Sequence, residues 1–193
     1  HSPDYLTTTK LPFNLECKVK NEKLWNHILS IIEDKDINIL MELIWIAISQ
    51  NNPFKKCFFF KGLTNTQKTA LVLIIAEIIG KDNVAFEKAK RILDPDSRFG
   101  INKLVGKRLN FAEEIGNMDS AMLETLKSLI GGAEQNTERK NDNTERYFDP
   151  NKFVFLFTTN HLGDIYSKIN DNSIITRFQF LIFRNQLDDS KTN

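Results

Sequence analysis

GLTNTQKT, residues Gly62 to Thr69, stands between an apolar run and a helical run. The run before it, Cys57-Phe58-Phe59-Phe60, reads as a buried strand, and Ala70 to Ile79, closed by Gly80, reads as a helix. Strand, loop with Gly first and Lys-Thr last, then helix is the layout of a phosphate-binding P-loop. The chemistry needs these residue types: Gly62 allows a sharp backbone turn, successive N–H groups face an anion, and the helix N-terminus adds partial positive charge. Lys68 would reach the β- and γ-phosphates, and Thr69 would offer its hydroxyl to a magnesium ion. The whole octet, Gly62, Leu63, Thr64, Asn65, Thr66, Gln67, Lys68 and Thr69, is therefore the candidate nucleotide-binding loop. One position departs from the pattern. The residue before the lysine is usually Gly, and here it is Gln67, which carries a Cβ where none is favoured.

Length and composition frame this motif. The chain has 193 residues, enough for one domain with a substantial core. Hydrophobic content of 41% and charged content of 26% fit a globular chain rather than a disordered one. A net charge of +1 supplies no global field for nucleic acid, so any such contact must be local or built by repeating the subunit. Most of the 15 Phe fall in short runs that read as buried strands. Cys17 and Cys57 make neither a metal spacing nor a disulfide framework, which suits a reducing, intracellular setting. Glu42 and Glu77 interrupt the two longest apolar runs, so no membrane span is expected. The chain opens His1-Ser2-Pro3 without a signal-peptide pattern and reads as an excised piece, with room for a further domain before it.

Two regions are expected: residues 1–50, a small helical segment, and residues 51–193, the core. Helical periodicity begins after Asn21, a candidate N-cap, with Leu24, Trp25, Ile28, Ile31 and Ile32 on one face. Ile37 to Ser49 is apolar nearly all round and reads as a helix buried between layers. Beyond Gly80, Asp82 to Arg98 is mixed, with a short helix expected over Phe86 to Ile92. Arg108 to Ala112 reads as a second strand ending in Glu113 and Glu114, followed by a helix from Asp119 to Leu129. Glu134 to Asp149 is polar, rich in both charges, and reads as a protruding β-hairpin. Lys152 to Phe157 is a third strand ending near Asn160, and Arg177 to Phe183 a fourth. Strands alternating with helices imply an α/β fold with a mostly parallel sheet buried on both faces.

A P-loop hydrolase also needs an acidic residue at the end of a neighbouring strand, to hold magnesium, and a carboxylate to polarise the attacking water. Glu113 and Glu114 stand where these roles can be divided, with Glu113 the metal candidate beside Thr69. Asn160, at the end of another strand, would address the γ-phosphate or its water. Arg177 is a candidate finger for charge in the transition state. Each of these residues also has an ordinary reading, as a solvated loop start, a turn or a surface cation.

In this order the parts resemble the superfamily 3 helicases, AAA+-related motors of small DNA viruses and plasmids, and within them the primase-helicases. GLTNTQKT is similar to that family's loop, with Asn65 at its asparagine, and KRLNFAEE (Lys107 to Glu114) to its acidic motif. LKSLIGG (Leu126 to Gly132) followed by Lys140 resembles the motif peculiar to the superfamily, and FLFTTN (Phe155 to Asn160) its sensor motif. Arg177 falls where the arginine finger is expected. The resemblance covers roughly residues 5 to 185 and implies an AAA+-like P-loop NTPase that hydrolyses ATP with Mg2+ at the interfaces of a homo-oligomeric, hexameric ring. It also implies that Lys127 contacts the neighbouring subunit's nucleotide in trans and that Lys140 rides a hairpin onto DNA, single-stranded or forked. A non-catalytic AAA+-like replication module, motivated by Gln67, and a P-loop small-molecule kinase are the alternatives.

Overall fold

The computed structural model describes residues 10–13, 21–95, 98–113, 115, 118–132, 135–139, 142–160 and 175–183. Its centre is a sheet of five parallel strands in the order β2-β3-β6-β1-β7: β1 (Cys57–Lys61), β2 (Val84–Ala85), β3 (Leu109–Ala112), β6 (Val154–Thr159) and β7 (Phe178–Ile182). The apolar runs carry no alternation because both sheet faces are covered. Cys57 and Phe59 point into one layer, with Phe155, Phe157, Leu126 and Leu129, and Phe58 and Phe60 point into the other, with Leu43, Ile46, Leu71 and Ile75. Phe59 stacks between Phe157 and Phe180 at centroid distances of 5.5 and 5.2 Å, so the phenylalanine-rich strands lock to one another through their rings. This is the α/β architecture that the sequence implies.

One face carries α1 (Glu22–Ile31), α2 (Ile37–Ser49) and α3 (Lys68–Ile79); the other carries α4 (Ala89–Ile92), α5 (Arg98–Asn102) and α6 (Ser120–Ile130). The cap expected at Asn21 is present, its side chain accepting from the Leu24 amide, and Asp119, expected as the first residue of its helix, is its N-cap and accepts from the Met122 amide. Arg108, buried, donates to the carbonyl oxygens of Ala47 (3.3 Å) and Ile48 (2.6 Å) and so closes the carboxyl end of α2 against β3. At the sheet edge the buried Asp36 carboxylate accepts from the Ile182 amide at 3.0 Å, which occupies a strand donor that would otherwise face outward.

Several expectations need correction. The sheet gains a fifth strand, β2, only two residues long and so without a readable period, and the helix expected over Phe86 to Ile92 is confined to Ala89–Ile92. The third strand starts at Val154, because Pro150–Lys152 forms a 3₁₀ turn. α2 is not enclosed: Leu40, Leu43, Ile46 and Ala47 are buried, but Met41 and Trp45 on its outer side are 48% and 52% exposed. Trp25, assigned to the inner face of α1, is likewise 41% exposed. The hairpin is present as β4 (Gln135–Arg139) and β5 (Asp142–Phe148), paired antiparallel. Its tip, with Lys140, lies outside the described residues. No helix among the described residues is long and apolar enough to cross a membrane.

Candidate functional site

All five strands end on the same side of the sheet, and an open cavity of about 1340 Å³ lies there, against the N-terminus of α3. Thr64 to Thr69 of the octet form one wall. Gly62 is buried for lack of room: a Cβ there would stand 2.8 Å from the Phe183 Cβ, the Phe183 carbonyl oxygen and the Thr66 hydroxyl. Close approach of three segments, rather than an unusual backbone angle, is what requires glycine at this point. Unusual angles occur later in the loop, at Asn65 (φ 62°) and Gln67 (φ 63°, ψ 18°), both left-handed. Gln67 therefore adopts the conformation that a glycine would supply there without strain, and its side chain makes no capping bond to α3. Two left-handed residues flanking Thr66 give the kind of backbone in which N–H groups gather into an anion-binding concavity.

Thr66 is buried, and its hydroxyl donates to the Leu63 carbonyl oxygen at 2.8 Å, so it braces the loop from within. Lys68 folds back across the same loop. Its ammonium donates to the carbonyl oxygens of Gly62 and Leu63, the latter at 2.6 Å, and lies 3.3 Å from both the Thr66 hydroxyl and the Asn160 Oδ1. The contact with Asn160 joins the loop after β1 to the end of β6, residues 92 positions apart in the chain. Thr69, in the first turn of α3, is exposed and lines the cavity, as does Glu113 just beyond β3. Thr64 to Thr69, Glu113 and Asn160 thus share one cavity. Glu114 lies outside the described residues.

The other wall escaped sequence reasoning. It consists of Phe86, Glu87 and Lys88, which leave β2 and lead into α4. Asn110, fully buried within β3, holds this segment from both sides: its Oδ1 accepts from the Glu87 amide at 2.8 Å and its Nδ2 donates to the Glu87 carbonyl oxygen at 3.1 Å. The side chain takes over the ladder where β2 stops. A polar residue inside the apolar run Leu109–Ala112 was the available signal, since a buried amide must find partners. The Glu87 carboxylate in turn receives Lys103 at 2.7 Å and Arg91 at 3.2 Å. Burial pushes its pKa up, but these hydrogen bonds and charges outweigh burial and hold it below the ordinary carboxylate value. Phe86 remains 53% exposed and meets Phe111 edge-on at 6.1 Å.

Two of the candidate residues are not at this cavity. Arg177 precedes β7, which starts beside Cys57 at the amino end of β1, so it sits on the opposite edge of the sheet from the octet. Five residues of β1 separate the two levels, about 16 Å at a strand's rise per residue. There the Arg177 guanidinium donates to the Ile130 carbonyl oxygen at 3.4 Å, at the end of α6. Lys127 lies in the last turn of α6, paired with Glu124 at 2.7 Å. Neither residue lines the cavity beside the octet.

Among the described residues no cluster of three or more His, Cys, Asp or Glu side chains could hold a metal by itself. Thr69 and Glu113 both line the cavity, and one hydroxyl with one carboxylate is the kind of sparse set that could hold magnesium where phosphates supply further ligands.

A family model, described as "Family of unknown function (DUF5906)", matches residues 60–177, more than half of the chain. No curated protein matches. Among solved structures, the C-terminal region of NrS-1 in its apo form superposes with TM-scores of 0.64 to 0.67 at 18 to 19% identity, over 92% of this chain and 41 to 42% of that one. A JCV helicase, in complex with a thiazolopyridine acetamide, superposes with a TM-score of 0.53 at 17% identity, over 81% of this chain and 43% of that one. The chain thus spans less than half the length of the structures it matches, and at these identities the likeness shows a shared fold.

Proposed function

The chain belongs to the DUF5906 family, whose function is unknown, and within that family we propose that it is the ATPase motor of a DNA helicase. The observation that carries this reading is the convergence of Lys68, Asn160 and Glu113 on the cavity beside the octet. A JCV helicase among the proteins of similar fold supports it, as does the order of motifs along the chain. In this reading the octet amides and Lys68 hold the phosphates of ATP, and Lys68 exchanges its bonds to the loop carbonyls for bonds to phosphate oxygens. Thr69 and Glu113 would hold magnesium, which would supply positive charge to offset that of the phosphates. Asn160 orients the attacking water, and Glu114 accepts its proton as the bond from Pγ to the bridging oxygen breaks. Arg177 and Lys127 act on the nucleotide of the adjoining subunit, because the opposite sheet edge is where both reside. Such an arrangement repeated around a homo-oligomeric, hexameric ring would bring the hairpins and Lys140 together on the DNA backbone.

Mixing separately inactive Lys68→Ala and Arg177→Ala chains tests this proposal. The mixture should regain ATPase activity, because an interface with an intact octet from one chain and an intact finger from the other then forms. An arginine finger is worth roughly 10³ to 10⁵ in rate, so the recovered signal should stand well above either parent. Activity equal to the sum of the parents at every ratio would refute the trans assignment. If the folded wild type binds no ATP at all, the non-catalytic assembly module that Gln67 motivates becomes the better reading.

A further inference from the structure

The edge of the sheet that carries Arg177 also carries a turn to which neither sequence motif nor mechanism assigns a role. Asn51-Asn52-Pro53-Phe54-Lys55-Lys56 links α2 to β1. Its conformation is fixed by Asn52, which is buried. The Asn52 amide donates to the Asn151 carbonyl oxygen (2.8 Å), its Oδ1 accepts from the Lys56 amide (2.8 Å), and its Nδ2 donates to the Lys56 carbonyl oxygen (2.9 Å). This bracing holds Lys55 in a left-handed conformation (φ 54°), an arrangement that a non-glycine residue keeps only when its surroundings impose it. It also leaves Phe54, at the tip, 69% exposed, more than any other large apolar side chain among the described residues. The Lys56 ammonium, held by Glu42 at 2.7 Å, sits 5.6 Å from the Phe54 ring centre. The Lys55 ammonium donates to the Gly131 carbonyl oxygen, next to the Ile130 carbonyl that receives Arg177. A rigid turn thus presents an exposed aromatic ring and a lysine beside Arg177.

We propose that this turn is part of the subunit interface: Phe54 docks against the exposed Leu73 and Phe86 at the cavity mouth of a second copy of this chain, and Lys55 enters that cavity beside Arg177. The inference rests on the reading that Arg177 acts in trans. Given that, the geometry commits the occupant. Lys55 and Arg177 are bound to successive carbonyl groups, so an edge that delivers one to a neighbouring cavity delivers the other. The receiving surface is complementary in kind: Leu73 (50% exposed) and Phe86 (53%) offer apolar contact, and because Glu113 and Asp119 share the cavity lining with Lys68, Lys88 and Lys90, it is the phosphates of a bound nucleotide that supply the negative charge for an incoming lysine. Exposed aromatics that fill a partner's apolar recess carry a disproportionate share of interface energy.

The mixed-chain assay in the full chain gives a directional test. In a mixture of Lys68→Ala and Arg177→Ala chains, the working interface takes its edge from the Lys68→Ala chain and its cavity from the Arg177→Ala chain. Phe54→Asp placed on the Lys68→Ala chain should reduce the recovered activity by about ten-fold more than the same change placed on the Arg177→Ala chain. Lys55→Gly, which keeps the left-handed backbone and removes the cation, should show the same asymmetry. Phe54 is on the surface, and equal thermal unfolding of parent and variant chains will confirm that the fold is intact. Recovery in the parent mixture with equal losses from both placements overturns this inference and leaves the trans reading standing. No recovery in the parent mixture overturns both.

Discussion

Gln67 is where the octet's sequence and its conformation disagree most, and Gln67→Gly measures that disagreement. With φ 63° and ψ 18°, Gln67 lies in the left-handed region, where a residue with a Cβ costs roughly 1–2 kcal/mol. Glycine removes that cost but gives the unfolded chain more freedom, which offsets about 0.4–1 kcal/mol. The difference predicts a stabilisation of about 0.5–1 kcal/mol. For a chain of 193 residues this raises Tm by about 1–4 °C. Gln67→Ala is the control, because it keeps the Cβ and the strain while deleting the amide, and should leave Tm nearly unchanged. Thermal unfolding followed by far-ultraviolet circular dichroism reads both variants, and titration with a nonhydrolysable ATP analogue reads the loop directly. If glycine relieves the loop, it should also tighten or preserve binding of the analogue. A lowered Tm for Gln67→Gly would refute the strain argument. An unchanged Tm with weaker binding would show that the glutamine side chain serves the nucleotide.

Two further outcomes follow from the wall that faces the octet. Asn110→Leu removes both bonds to the Glu87 backbone and should lower stability by about 1–3 kcal/mol, read as a reduced urea midpoint at unchanged slope; a midpoint equal to wild type would mean that Asn110 does not hold this wall. Glu87 has a depressed pKa in the folded chain, so its stabilising effect is present above the unfolded value of about 4.3 and is lost as pH falls through the lower folded value. Glu87→Gln should therefore be less stable than wild type at pH 7, by up to about 1 kcal/mol because Lys103 and Arg91 are themselves more than half exposed, and the gap should close as pH falls below the depressed folded value. A gap that stays constant over that range would place the effect elsewhere.

The outline of the fold was legible because its signals are local. Unbroken apolar strands such as Cys57 to Phe60 announce a sheet covered on both faces, the caps Asn21 and Asp119 mark helix starts, and Gly62, Lys68 and Thr69 keep the spacing that a strand–loop–helix phosphate site requires. The short strand β2 and the exposed outer side of α2 were not legible. Two residues carry no period, and burial of an apolar helix depends on whether a second layer exists to cover it.

The sequence by itself determined the α/β class, the candidate loop and its doubtful residue, because these rest on residue type and on spacing along the chain. Only the tertiary structure decided which of those residues meet. It brought Asn160 to Lys68 across 92 positions, set Arg177 and Lys127 on the opposite edge, and put Gln67 into a glycine's conformation. Parallel pairing is the physical reason. It gathers the carboxyl ends of distant strands at one edge of the sheet and their amino ends at the other, and that sorting is invisible in any single segment.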